Sequence, residues 1–319
     1  MQICITGANG FIGRYLIRAL SQKGHSIRVL TRQEGNLFSG DVEVVRGDLT
    51  RLDCPLDTFM NGCDILVHCA GEVRDEKVMR LLHVDGTKRL TQSIQDNFLR
   101  TGQKVHWVQL SSVGAYGPPI EVPETDRVVT EETESNPANE YEVTKTLSDE
   151  LVIKASKNGS MTYTILRPAN VFGTKMTNQS LRRLIVMVKR KLFFYIGKPG
   201  AIATYVHVED VAAALLICAT DSRAKGQVYN LSSDCKLEDL INQIALLLGV
   251  RKPWLRIPVQ FIRIPLSLCF FLRGLIYIPS INAFILRTRY PTKKIETELG
   301  FCFSKSLPCG VEDMVKEFV

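Results

Sequence analysis

The chain has 319 residues, 45% apolar and 23% charged, enough to bury a large core and to hold one large domain or two moderate ones. It carries no repeat or low-complexity tract, which marks an ordinary globular composition. Its net charge of +7 is local: Leu240 to Ile295 holds nine Lys and Arg and no acid, and without it 31 basic residues face 33 acidic ones, so a nucleic-acid-binding surface is a poor explanation.

The first strand is expected at Ile3 to Ile5, reaching back to Gln2, which leaves no room for a signal peptide. It runs into Thr6–Gly13, reading TGANGFIG, and then into apolar residues at helical spacing from Phe11 to Leu20. A strand, a glycine turn and a helix therefore follow directly. Gly7 can take a positive φ, Gly10 allows a ligand close to the backbone, and Gly13 lets the helix pack on its strand. The turn's free N–H groups and the helix dipole suit a pyrophosphate.

Further strands are expected at Ser26–Leu30, Val42–Arg46, Ile65–His68, Val105–Leu110 and Met161–Leu166, with a long amphipathic stretch over Glu76–Phe98. Such alternation predicts an α/β fold: a Rossmann-type doubly wound parallel sheet, with ligands at the carboxyl ends of its strands. After Leu166 come a helix over Gln179–Lys191, a strand over Thr204–Val208 leading into a helix to Thr220, a strand at Gln227–Leu231 and a helix over Leu237–Leu248. The pattern predicts a dinucleotide-binding domain of 1–167 plus about 204–235. A small, mostly helical substrate lobe then takes about 168–203 plus 236–319.

Tyr141 and Lys145 form a Y-x-x-x-K pair one helical turn apart, on a helix expected to start at Pro137 with Asn136 as its cap. A nearby ammonium would lower the tyrosine's pKa and make it a usable acid/base. Ser111 and Ser112 stand just past the strand that ends at Leu110, where a hydroxyl would face a cofactor or simply cap the strand exit. Nine scattered cysteines form no CxxC pair, which suits reduced thiols and a cytoplasmic protein. His68, His83 and His207 have no metal-ligand spacing, so no metal is expected.

TGANGFIG, GDL at Gly47–Leu49, HVDGT at His83–Thr87, SSVGAYG, YEVTK, RPANVFG at Arg167–Gly173, YVHVEDVA at Tyr205–Ala212 and ELGF at Glu298–Phe301 occur in the order used by one family. The chain resembles an extended short-chain dehydrogenase/reductase of the NAD-dependent epimerase/dehydratase group. The resemblance implies Ser112, Tyr141 and Lys145 as the catalytic set, with Ser112 on the substrate oxygen and Tyr141 transferring the proton. It implies a cofactor site made of Gly7, Asn9, Gly10, Phe11, Ile12 and Gly13, with Asp48 and Leu49 at the adenine. Cys69, Ala70 and Gly71 would form a wall, Lys145 would hold the ribose, and Pro168 would stand beside the nicotinamide.

Arg32, where NAD-preferring relatives carry an acid, would welcome a 2′-phosphate, so NADP is favoured over NAD. The family's dehydrating members place an acid just after the catalytic Ser/Thr. Here Val113, Gly114 and Ala115 stand there, which leaves oxidation/reduction or 4-epimerisation. Asn170 matches a nucleotide-sugar contact, and Arg287 and Arg289 would replace a missing diphosphate arginine. The function expected is thus an NAD(P)-dependent oxidoreductase or 4-epimerase of a nucleotide sugar. A hydroxysteroid-type or other small-carbonyl dehydrogenase is the alternative, followed by a non-catalytic NADP-binding protein. The basic, apolar stretch 251–294 has uncharged runs at Ile264–Leu272 and Gly274–Leu286, too short to span a bilayer. It leaves three readings open: lobe helices packed on the core or in a homodimer, peripheral membrane contact, or a pocket for a greasy substrate.

Overall fold

In a computed structural model the chain is described at residues 1–34, 38, 41–119, 125–176, 179–262 and 284–318. Seven parallel strands form one sheet: β1 (Gln2–Thr6), β2 (Ser26–Thr31), β3 (Val42–Arg46), β4 (Ile65–His68), β5 (Val105–Leu110), β6 (Met161–Pro168) and β7 (Gln227–Leu231). Their order is β7-β6-β5-β4-β1-β2-β3, so the chain starts in the middle and winds outward to both edges. The reversal between β1 and β4 opens a crevice at their carboxyl ends, where a ligand can lie against backbone.

Both faces of the sheet are covered, as strands with near-continuous apolar runs require. On one side Ile3 and Ile5 of β1 pack with Leu16 and Leu20 of α1 (Phe11–Ser21). On the other, Cys4 packs with Leu66, Trp107 and the helices that follow β4 and β6's predecessor. The amphipathic stretch after β4 begins as α2 (Glu76–Met79), passes through a π-helical turn at Arg80–Asp85, and continues as α3 (Gly86–Thr101).

The YxxxK helix, α4 (Glu140–Ser156), starts later than its sequence suggests. Asn139 caps it by accepting the Glu142 N–H at 3.0 Å. Asn136 is not the cap: it lies in the loop ahead of the helix, held there by its N–H on the Ala115 carbonyl at 2.9 Å, and the helix begins only at Glu140. Its carbonyl also lies where a Cβ on Gly117 would sit.

A further apolar cluster joins Leu181, Leu184 and Ile185 of α5 (Ser180–Lys189) to Leu240, Ile241 and Ile244. The latter three belong to α7 (Leu237–Leu247), which follows α6 (Val208–Thr220) in the chain. Ile295, Leu299 and Phe301, late in the sequence, return to the sheet's α1 face. The strand expected at Thr204–Val208 is shorter, Tyr205–His207, and pairs with Asn170–Phe172 outside the main sheet. No helix among the described residues is long and apolar enough to cross a membrane. The run Ile264–Leu272 and most of Gly274–Leu286 lie outside the described residues.

Candidate active site

A cleft of about 1200 Å³ opens over the carboxyl ends of β1, β4, β5 and β6 and reaches α5 and α7. The glycine turn forms its floor. Gly7 has φ +68°, and a Cβ there would stand 2.5 Å from the Ala70 N and 2.6 Å from the Cys69 carbonyl carbon. A Cβ at Gly13 would stand 2.4 Å from the Gly7 oxygen. These two glycines are dictated by the protein's own packing. Gly10 is different: it is exposed, lines the cleft, and a Cβ there would meet nothing but the Gly7 oxygen at 3.0 Å. Gly10 is also the N-cap of α1 and supplies no side-chain cap, so N–H groups of the first turn face the cleft.

The wall beside the turn is held from behind. Thr6 Oγ1 lies 2.6 Å from His68 Nδ1 and accepts the Ala70 N–H at 3.3 Å, which ties the ends of β1 and β4. Cys69 and Gly71 line the cleft, while Ala70 is buried behind them. Burial pushes the Cys69 thiol up to about 12, against the influence of Lys145. His83 Nε2 accepts the Glu72 N–H at 2.9 Å, so its Nδ1 carries the proton and donates to Thr144 Oγ1 at 2.9 Å. Burial, with Lys145 adding to it, lowers His83 to about 3, and the ring stays neutral.

At the end of β5 two adjacent serines diverge. Ser111 Oγ points into the interior and donates to Asp149 Oδ2 at 2.7 Å. Ser112 lines the cleft beside Tyr141, where its Oγ accepts the Gly114 N–H at 3.1 Å. Tyr141 and Lys145, one turn apart on α4, line the same cleft. Lys145 is buried and its Nζ donates to the Leu110 carbonyl at 2.5 Å. Burial lowers its pKa, opposed by Asp149 and Cys69.

The sequence-based expectation of a lowered Tyr141 pKa does not hold. Burial raises it, and the Ser112 side chain offsets only part of that. The reason is geometric: the ammonium is directed to the Leu110 carbonyl, and Tyr141 has the neutral His83 ring against it at 5.8 Å.

The remaining expected residues fall into three places. Phe11, Ile12, Pro168 and Asn170 line the cleft. Asn9, Arg32, Asp48 and Leu49 gather beyond it around the end of β2. There Asn9 Nδ2 donates to Thr31 Oγ1 at 2.6 Å and Arg32 lies 3.7 Å from Asp48. Burial works against the Asp48 carboxylate, yet the Thr50 N–H and hydroxyl, with Arg32, hold it below its ordinary value. Leu49 is buried.

Arg287 and Arg289 are not brought into the cleft. Arg287 Nη2 donates to the Pro199 carbonyl at 2.6 Å, and Arg289 is exposed beside a separate small pocket. Arg289 lies on the short strand Thr288–Arg289, which pairs with Arg127–Val128, and Arg287 directly precedes it.

Several lining residues escaped the sequence reading. Arg183 reaches the cleft from α5, and Arg127 reaches it with its guanidinium on the Tyr116 and Gly117 carbonyls. Glu142 lies beside Gly114, where a Cβ would be 2.9 Å from its Cγ, and accepts the Ala138 N–H at 2.8 Å. Only the last had a local signal, an acid three residues after the Asn139 cap. Leu184, Met187, Phe284 and Leu286 make the far end apolar.

Three comparisons with known proteins agree with this architecture. The model of the NAD dependent epimerase/dehydratase family matches residues 3–232. A 4-hydroxy-2-methyl-3-oxo-4-farnesyl-3,4-dihydroquinoline-1-oxide ketoreductase of Stigmatella aurantiaca is 28% identical over 82% of this chain and 78% of its own. Sterol demethylase protein B of Methylococcus capsulatus is 28% identical over 86% and 84%. The fold is similar to that of a UDP-glucuronic acid 4-epimerase from Bacillus cereus in complex with NAD. Its TM-score is 0.74 at 19% identity, covering 99% of this chain and 96% of that one.

Proposed function

The chain belongs to the NAD dependent epimerase/dehydratase family, a family of enzymes, and from that premise we propose that it moves a hydride between NADP and a carbinol or carbonyl carbon of a nucleotide sugar, as a reductase or 4-epimerase. The observation that carries this reading is the meeting of Ser112, Tyr141 and Lys145 in one cleft with the glycine turn, whose exposed Gly10 lines it. The first turn of α1 would hold the pyrophosphate, and Cys69, Gly71 and Pro168 would flank the nicotinamide. When bound, such a cofactor supplies or accepts the hydride.

The protein's own part is the oxygen. Ser112 Oγ would hold it, and Tyr141 Oη would give it a proton as a carbonyl is reduced, or take one as an alcohol is oxidised. Burial keeps Tyr141 protonated at neutral pH, which favours the donating role. Lys145 would fix the ribose and supply the positive charge beside the site. The preference for NADP rests on Arg32, with Arg14 and Arg46 anchored nearby on the Asn9 and Gln33 carbonyls. Asn170 and Arg183 line the cleft where a diphosphate would need donors.

A second substrate reading has its own support. The apolar end at Leu184, Met187, Phe284 and Leu286 suits a lipid-like ketone, while Arg287 is engaged at the Pro199 carbonyl and Arg289 lies outside the cleft. Thermal-shift measurements separate the two. NADP should stabilise the protein, and uridine diphosphate should add to that stabilisation. Added stability from a sterol ketone, with none from uridine diphosphate, would select the second reading. No response to either NADP or NAD would refute both.

A further inference from the structure

One edge of the substrate lobe carries an unusual pairing of exposed apolar and unpaired basic side chains. α5 and α7 run by short connections into the strands Tyr195–Ile196 and Arg256–Ile257, which pair in parallel. The two connections therefore lie side by side, and the Tyr195 N–H donates to the Leu255 carbonyl at 2.9 Å. On them Trp254 is 77% exposed, Leu255 45% and Leu192 43%, and Leu246 in the last turn of α7 is 68% exposed. Interleaved are Arg190, Lys191, Arg251 and Lys252, all exposed and without an ion pair among the described residues. Of the neighbouring acids, Glu238 is taken by Arg256 and Glu317 by Arg182, which leaves exposed Asp239 against four cations.

We propose that this edge docks the enzyme onto the anionic headgroup layer of a lipid bilayer. Helix C-termini favour cations, which explains some of the charge, but it gives no reason to hold Trp254 in water. An indole with leucines at headgroup depth, ringed by Lys and Arg, meets the chemistry of an anionic interface. A second copy of the chain is a worse occupant, because a two-fold contact would press four unpaired cations against four more. The proposal extends the hydride-transfer reading and does not depend on which substrate occupies the cleft.

The chain has two tryptophans, and Trp107 is fully buried, so Trp254 reports contact by itself. The full-length protein would be mixed with phosphatidylcholine vesicles, with or without phosphatidylglycerol. Docking predicts that the protein pellets with the anionic vesicles, that its emission shifts to the blue, and that added salt reverses both. The combined variant Lys191→Glu, Arg251→Glu, Lys252→Glu should bind at least about tenfold more weakly. Its stabilisation by NADP, which reports intact folding, should be unchanged. Trp254→Ala should lose the spectral shift. Failure to pellet with anionic vesicles would overturn the proposal, as would pelleting that the triple variant leaves unchanged. A lipid-free dimer that Trp254→Asp dissociates would instead assign the face to a second copy.

Discussion

Asp149 of α4 and Arg167 of β6 face each other in the interior, Oδ2 to Nη2 at 3.1 Å, with side-chain exposures of 1% and 9%. The same Asp149 oxygen accepts Ser111 Oγ, while Oδ1 has no hydrogen-bond partner among the described residues. The Arg167 guanidinium in turn lies over the Tyr116 ring at 4.9 Å. This pair locks the YxxxK helix to the sheet behind the cleft. Removing one partner leaves a buried charge, so Asp149→Ala should cost about 3–5 kcal/mol in urea denaturation. Replacing both by apolar residues of similar size should cost clearly less. An Asp149→Ala protein as stable as the parent would mean the pair is inert.

Gly10 offers a separation of binding from folding. Asp is a good N-cap but its Cβ would stand 3.0 Å from the Gly7 oxygen, so Gly10→Asp should lower the melting temperature modestly, while its carboxylate repels a pyrophosphate at the α1 N-terminus. Calorimetric titration with NADP should find affinity lost. Gly7→Ala should behave oppositely and destabilise, since its Cβ would overlap the backbone of Cys69 and Ala70.

Tyr141→Phe keeps the ring against His83 and removes the hydroxyl. Turnover should fall by about 10²–10⁴-fold with cofactor affinity unchanged, as expected for a lost proton donor. Full activity on a confirmed substrate would remove Tyr141 from the mechanism.

Arg32→Asp should move the cofactor preference from NADP toward NAD, because a carboxylate repels a 2′-phosphate and accepts from a 2′-hydroxyl. Steady-state kinetics with both cofactors give the ratio. An unchanged ratio would show that Arg32 only covers the adenine.

His83 makes stability depend on pH. Its pKa is about 3 in the folded protein and near 6.5 in the unfolded chain, so between these values the unfolded state binds the extra proton. Its contribution is fully present above about pH 6.5 and drains away as the pH falls toward 3, at about 1.4 kcal/mol per unit. Denaturation at pH 7, 6, 5 and 4 should show a shallower slope for His83→Gln than for the parent, by about one proton. Parallel slopes would mean that His83 titrates normally.

The sheet was legible because its strands are apolar on both faces and are separated by turn residues, as in β1 and β4. The glycine turn was legible because its spacing is a backbone requirement, and Gly7 and Gly13 carry that requirement in steric form. Local chemistry misled at the start of α4, where Asn136 and Asn139 are both plausible caps. A contact with Ala115, twenty-one residues earlier, holds the first in the loop, and the helix begins only after the second.

The sequence by itself determined the strand–turn–helix unit, the one-turn spacing of Tyr141 and Lys145, and the family, since each rests on residues close in the chain or on motifs in fixed order. The family pattern already pointed to Ser112, and the tertiary structure supplied the physical reason, turning Ser111 Oγ onto Asp149 while Ser112 faces the cleft. A one-residue shift on an extended strand turns a side chain to the opposite face, and composition is identical for both. It likewise sent Arg287 and Arg289 away from the cleft and brought Arg183 in, because the far wall is made by segments that meet only when the lobe folds. The direction of the Tyr141 pKa was settled in the same way. The sequence puts an ammonium nearby, but the Leu110 carbonyl and the depth of burial fix what that ammonium does.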